Sequence, residues 1–396
     1  MKFVRETSPY IRKNVSVKRM MLDVLIALVP IVLFACIQNG FNGFYVILTA
    51  VLTMLVVEFI AVGLIKWPDG MKRRELFTKE GFKRLVGQYN INNIYCPMIS
   101  ALIFSLLLPA ATPVYVVIVG SSVGVLFGKL VFGVYGSNIF NPAAVGFIFV
   151  KLCFAGQIDA ALATQTGIVF PGLIENGVIV GGTPLGQISG NLNNFGQAII
   201  QYPLKDLFFG NVPGAMGEVC SVLILVSFVY LIARRAIDLR ASLSMILGFV
   251  LISLSVGIVL NIQNGTNILE FVTYQVLAGG LLFGAVFMVT DPVTSPVTKF
   301  GRVVYGTIVG VLAAMIRFIG AYPEGVAFAI LLANTFASAI DYFMQGKPNT
   351  YTWKQILGLS IVVVAACLIV AFTVNTKIQP ETTNMILGGV LSCGNI

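Results

Sequence analysis

Hydrophobic residues along this chain come in long unbroken runs separated by short polar connections, with no sustained two-residue alternation. A run of about 20 apolar residues crosses the roughly 30 Å hydrocarbon layer of a bilayer as a helix. A membrane barrel would need short segments of alternating polarity instead. The pattern predicts eleven membrane helices, near 21–38, 44–65, 97–109, 113–133, 140–155, 214–233, 243–260, 271–289, 303–320, 325–344 and 355–374. The fold class expected is an all-α polytopic membrane protein. Composition agrees, since 57% of the 396 residues are hydrophobic and 10% are charged, against about 25% charged in a soluble domain.

The first apolar run follows a basic stretch and has no small-residue cleavage signal after it, so it reads as a retained signal anchor. With the N-terminus cytoplasmic, twenty Lys and Arg fall in inner connections and only Lys205 and Lys377 in outer ones. That bias is the positive-inside pattern. It accounts for the net charge of +9 without a nucleic-acid partner. The connection 156–213 is then extracytoplasmic.

Two halves echo each other. PAATP at 109–113 is followed by NPAAVGFIF at 141–149, and PVTSP at 292–296 by YPEGVAFAI at 322–330. The first PxxxP faces out and the second faces in, so the halves are expected to be inverted five-helix repeats, a transporter-like architecture. The division is 1–155 for the first repeat, 156–213 for the outer connection, 214–345 for the second repeat, and 346–396 for an additional helix and tail. The repeat taken alone would also suit a channel or secondary transporter without a cofactor.

Candidate chemistry is sparse. The chain has no histidine, which excludes His-ligated haem or zinc and Ser-His-Asp catalysis. Six cysteines lie unpaired in sequence and mostly within apolar runs, as small buried hydrophobes do. No metal site and no catalytic residue is expected from these patterns. Charges inside membrane helices are costly and point to function unless they reach an interface. Glu58 stands well inside a predicted helix, whereas Asp23, Lys151 and Asp341 lie near span ends. Asn141 before Pro142 is either an ordinary helix N-cap or a ligand contact; Asn138 has no capping duty in that arrangement. Phe283 and Phe287 are four apart, on one helix face, and Asp291 before Pro292 reads first as a turn residue. The turn VGGTPLG, 180–186, sits in the longest outer connection.

SPYIRKNVSVKRMMLDVLIALVP, NIFNPAAVG, NVPGAMGE, FGAVFMVTDPVTSPVTKFGRVVYG and AYPEGVAFAILLANTFASAIDYF together resemble one family. It comprises the D subunit of the Rnf complex and the B subunit of the sodium-translocating NADH:quinone oxidoreductase, and the compact N-terminus is more similar to the Rnf branch. The resemblance implies a bacterial inner-membrane subunit of a redox-driven translocase that works only with other complex subunits. It implies FMN joined through its phosphate to Thr183 by a flavin transferase, with Gly181 and Gly182 giving access. It also implies a noncovalent riboflavin at Asn138 and Asn141, and a Na+ or H+ path past Glu58, Phe283, Phe287 and Asp341. Gly181 and Gly182 depart from the Ser-Gly or Gly-Ala usual at those positions, and no Asp stands shortly upstream. With no NAD fingerprint or iron–sulfur cysteine set here, nucleotide oxidation falls to the partners. Ferredoxin and NAD+ would be the redox couple in the Rnf branch, and quinone the acceptor in the sister branch.

Overall fold

The computed structural model describes residues 17–65, 78, 92–133, 136, 138–164, 183–189, 192–320, 322–344 and 353–378. Gly181, Gly182 and nearly all of the 66–95 connection lie outside them. Among the described residues the chain is helical and contains no strand. α1 (Val17–Ile65) carries the first two predicted segments as two arms joined at Gly40, whose φ of 57° and ψ of −141° break the helix. A side chain there would be strained by φ alone. Gln38 also fixes this turn: its Nε2 donates to the Gly210 carbonyl at 2.8 Å.

The first half continues with α2 (Asn92–Leu106), α3 (Val114–Gly128) and α4 (Pro142–Cys153). After Phe154 the chain bends by 91° into α5 (Ala155–Ala163). Short helices α6 (Pro184–Ile188), α7 (Phe195–Gln201) and α8 (Leu204–Phe209) occupy the outer connection of the sequence reading. The second half comprises α9 (Ser221–Ala233), α10 (Leu239–Asn264), α11 (Ile268–Leu277), α12 (Leu281–Phe283), α13 (Lys299–Phe318) and α14 (Val326–Phe343), followed by α15 (Trp353–Ile378). Among the described residues, six helices are long and apolar enough to cross a membrane, or eight with each bent pair taken as one span. The chain is a multi-pass membrane protein, and each predicted segment meets a helix.

Two boundaries differ from expectation. The segment expected from 214 begins as helix only at Ser221, because Pro213, Gly214 and Gly217 shape the preceding turn, in which the Gly217 N–H donates to the Leu106 carbonyl at 2.7 Å. The segment expected as one helix over 271–289 is broken at Gly279, where φ is +72°, and its two pieces are bent by 61°. Beyond the break, α12 runs into a π-turn over Gly284–Met288, closed by the Val289 N–H to the Gly284 carbonyl at 2.9 Å. Such turns concentrate at functional sites.

Packing follows small residues. α3 lies on α4 through Gly120, Gly124 and Gly128; a Cβ at Gly124 would stand 2.6 Å from the Pro142 carbonyl oxygen. α13 approaches α10 in the same way, with Gly306 and Gly310 against the Ala241 and Met245 carbonyls. Close backbone approach over small residues is how helices gain dispersion contact in lipid. α3 packs on α1 and α4, and α13 on α10 and α14, while α1 with α9 and α4 with α14 join the halves. α15 lies against α10 and α13 and leaves Ile361, Val362, Leu368 and Phe372 exposed, as a helix facing lipid does.

Asp238 caps α10 by accepting the Arg240 N–H at 3.0 Å and pairs with Arg302 at 2.6 Å. Burial acts to raise its carboxyl, but that N–H and the Arg302 guanidinium outweigh it and hold the group below the usual carboxylate range. A depressed folded pKa gives stability that is full above the unfolded value and lost as pH falls through the folded one. Acidification below about pH 4 should therefore lower the melting temperature more in the wild type than in Asp238→Asn, as thermal-shift series across pH would register.

Candidate functional site

Two groups of cavities lie on either side of the π-turn. The first, with about 770 Å³ of atom-free space, is lined by the start of α1, by α2, and by the residues ahead of α4. Asn138, Asn141, Phe287, Asp291 and Cys96 face it. Asn141 is the N-cap of α4, accepting the Ala143 N–H at 3.0 Å, with Pro142 in the first helical position. The capping half of the sequence reading holds, and the residue lines the cavity as well. Asn138 Nδ2 donates to the Phe140 carbonyl at 3.4 Å, while its Oδ1 is buried without a hydrogen-bond partner. A buried polar atom left unpaired is expensive, so a ligand edge or water that donates to it stabilises the site.

Asp291 performs the turn duty read from its place before Pro292. It accepts from the Val293 N–H at 3.2 Å and the Thr294 hydroxyl at 3.1 Å. Burial pushes its carboxyl up against the pull of those two donors and of Lys129. Sequence reasoning did not place it at the site; the acid next to the aromatic pair was the available signal.

Glu58, on the second arm of α1, pairs with Lys129 at the C-terminal end of α3, with Nζ 2.7 Å from Oε1 and both side chains buried. The second carboxylate oxygen, Oε2, has no partner. Lys129 also reaches the Cys96 side chain, which puts this ion pair directly behind the wall of the first cavity. Phe283 and Phe287 stand with ring centroids 5.2 Å apart, both buried. Phe287 borders the first cavity, while the Phe283 ring reaches the backbone at Gly217, where a Cβ would lie 3.2 Å from it.

On the Phe283 side, two further cavities adjoin Thr183. One, of about 300 Å³, is bordered by Thr183, Pro213, Glu218, Gly279 and Glu324; the other, of about 1120 Å³, by Thr183, Lys151, Asp159, Tyr322 and Glu324. Thr183 is the N-cap of α6, its Oγ1 accepting the Gly186 N–H at 3.1 Å. Accepting that bond leaves the hydroxyl proton uncommitted. Glu218 and Glu324 were not singled out by sequence reasoning, although two acids in otherwise apolar connections were a usable signal.

Asp341 is placed apart from these cavities. Its carboxylate accepts from the Val297 N–H at 2.8 Å, the Thr298 N–H at 2.9 Å and the Thr298 hydroxyl at 2.7 Å. The structure thus gathers Asn138, Asn141 and Phe287 around one cavity, sets Glu58 behind its wall, and puts Thr183 on the far side of Phe283.

Asn138 Oδ1 offers an unused acceptor at the first cavity, and the Thr183 side chain borders the cavities on the other side. Residues 4–351 match the profile of the NQR2, RnfD, RnfE family. Similar proteins include the D subunit of the proton-translocating ferredoxin:NAD(+) oxidoreductase complex of Clostridium ljungdahlii, 29% identical over 348 residues, covering 87% of this chain and 95% of that one. The D subunit of the ion-translocating oxidoreductase complex of Haemophilus influenzae is 28% identical over 382 residues, covering 89% and 99%. The B subunit of the Na(+)-translocating NADH-quinone reductase of Chromohalobacter salexigens is 32% identical over 250 residues, covering 62% and 57%. α15 lies beyond the matched span. A profile match over most of the chain, on a helical membrane fold, establishes that this chain belongs to the NQR2, RnfD, RnfE family.

Proposed function

We propose that this chain is an electron-carrying membrane subunit of an Rnf-type ion-translocating ferredoxin:NAD+ oxidoreductase. In this reading it holds FMN by a phosphoester to Thr183 and a noncovalent riboflavin at Asn138 and Asn141, and couples electron flow to passage of Na+ or H+. The observation that carries the reading is the arrangement of Thr183 and the asparagine pair in separate cavities on opposite sides of Phe283 and Phe287. Flavins, when bound, supply the redox chemistry, and the protein supplies spacing, orientation and local field.

The residues divide that work. Asn138 Oδ1 offers an acceptor to a ring N–H, and the apolar walls from α1 and α2 exclude water from the ring faces. Thr183 offers its hydroxyl oxygen while α6 holds it through the Gly186 N–H. Phe283 and Phe287 separate the two compartments with a hydrocarbon barrier. Glu58 keeps a carboxylate beside the first cavity with Lys129 as its resident counter-charge. The positive-inside bias supports a cytoplasmic N-terminus and an extracytoplasmic Thr183, and the like pairing of α3 with α4 and α13 with α14 supports the two inverted halves. Other complex subunits and a flavin transferase are the partners this reading requires. The wider coverage of the Rnf-type relatives favours the Rnf branch over the quinone-reducing one.

Co-expression with a flavin transferase, followed by in-gel flavin fluorescence after denaturation, tests the reading. The wild-type band should fluoresce and the Thr183→Val band should be dark. A dark wild-type band, with the transferase active on another substrate, would remove covalent FMN and bring the cofactor-free transporter forward. Reduction of quinone by the assembled complex would move the chain to the quinone-reductase branch.

A further inference from the structure

We propose that Glu218 and Glu324 share a single proton, forming a protonatable carboxyl pair at the break between α11 and α12, on the Thr183 side of Phe283. Glu218 sits in the connection before α9 and is 7% exposed, and its Oε2 has no hydrogen-bond partner. Glu218 borders the same small cavity as Glu324, which enters from the connection before α14, and the adjacent Gly279 and Gly280 lie against Glu324 and Glu218 respectively. Two neighbouring carboxyls, one of them buried, favour holding one proton between them over carrying two negative charges. That proton provides the donor that the unpartnered oxygen lacks.

The backbone is built around this pair. At Gly279 a Cβ would come 3.4 Å from Glu324 Oε1 and 3.4 Å from Arg317 Nη2; at Gly280 it would lie 2.8 Å from Glu218 Cδ. Gly280 therefore makes room for the Glu218 carboxyl, while Gly279 supplies the positive φ of the break, lies against Leu185 and places Glu324 and Arg317 in van der Waals reach. Arg317 lies over the Phe249 ring at 4.7 Å and donates from Nη1 to the Gln275 carbonyl, while its buried Nε and Nη2 are unpartnered. It balances the one negative charge that the pair retains. Lys151 of α4 adds a second positive charge nearby, and Asp159 of α5 and Tyr322 share the large cavity with Glu324. Among the described residues no third acid, cysteine or histidine completes a metal-binding group.

Glu324 borders both the small cavity that holds Glu218 and the large one beyond it. Glu218 follows directly on Gly217, the residue that meets the Phe283 ring. The Phe283 ring lies beyond Gly217, and the large cavity that Glu324 borders gives a proton on the pair a place to exchange. Its use as the outer station of ion passage rests on the proposed function; the pair itself rests on the geometry alone.

Infrared difference spectra of the purified full chain, titrated with pH in H2O and D2O, test this. The wild type should show a protonated-carboxyl carbonyl band at neutral pH that shifts in D2O and titrates as one proton. The band should vanish in Glu218→Gln and shift or vanish in Glu324→Gln, and Glu324→Asp should keep it. Absence from the wild type, or persistence unaltered in either Gln variant, overturns the pair. Removal of the band by Na+ at fixed pH makes the site a cation site and overturns the proton assignment. Should the Gln variants fail to fold, Glu324→Asp decides: it must keep the band but shift its frequency or midpoint, and a band unaltered there overturns the pair. These spectra need no flavin, so a colourless protein with the band would sink the electron-carrier reading and leave the carboxyl pair standing.

Discussion

Replacing Lys129 with Met is expected to destabilise the chain by about 3–5 kcal/mol, because it leaves the Glu58 carboxylate buried without its counter-charge. The pair is 2.7 Å long with side chains 2% and 0% exposed, so no solvent screening softens the loss. The double variant Lys129→Met/Glu58→Gln should recover most of that stability, since removing both charges removes the uncompensated one. Thermal unfolding of wild type, both singles and the double closes the cycle. Equal destabilisation in the single and the double would mean that the packing of the Lys129 stem, rather than its charge, holds the site. The cycle also bears on ion passage. Glu58 Oε2 is unpartnered, so a cation reaching Glu58 would find one oxygen open and the other held by Lys129. In the assembled complex Glu58→Gln should lower transport per electron, while Lys129→Met/Glu58→Gln should restore stability without restoring transport. A double variant that transports normally would take Glu58 off the path.

Much of this architecture was legible in the sequence, and the gaps have physical causes. Runs of apolar residues report how long a chain stays in hydrocarbon, so the helical segments and their order follow directly from them. Such runs cannot report where the backbone changes direction within the membrane. The break at Gly279 and the π-turn at Gly284–Met288 were invisible because the residues around them remain apolar. The Asn141 cap was readable from Asn-Pro, a local signal set by backbone geometry. The partners of buried charges were not readable, since Glu58 and Lys129 are 71 positions apart and neither stands in a motif that names the other. Glu218 and Glu324 were missed for the same reason. Each looks like an ordinary polar residue in a short connection until the fold encloses it.

Asp341 shows how a charge at the end of a membrane helix can be committed to structure, and its loss is the second large effect expected. Its carboxylate stands at the N-terminal end of α13, where Thr298 supplies no side-chain cap of its own. The Asp341 oxygens take the Val297 and Thr298 N–H groups and the Thr298 hydroxyl. These are orphan donors at a helix start, and the negative charge is favourable to the α13 dipole. The same connection is held from a second side by Arg302, whose Nε donates to the Pro296 carbonyl at 2.9 Å. Hydrogen bonds to a charged group contribute about 1.5–3 kcal/mol each, and bonds sharing one carboxylate are not additive. Asp341→Ala should therefore cost roughly 3 kcal/mol. Asp341→Asn should recover only part of this, because its NH2 would face a backbone N–H where an oxygen now accepts. Thermal unfolding of the purified variants, set beside ion transport per electron in the assembled complex, distinguishes an anchor from an ion ligand. An anchor predicts that stability falls in Ala and Asn alike and that transport per electron holds in the protein that remains folded. Unchanged stability with transport lost would instead return Asp341 to the ion path that the family resemblance implied.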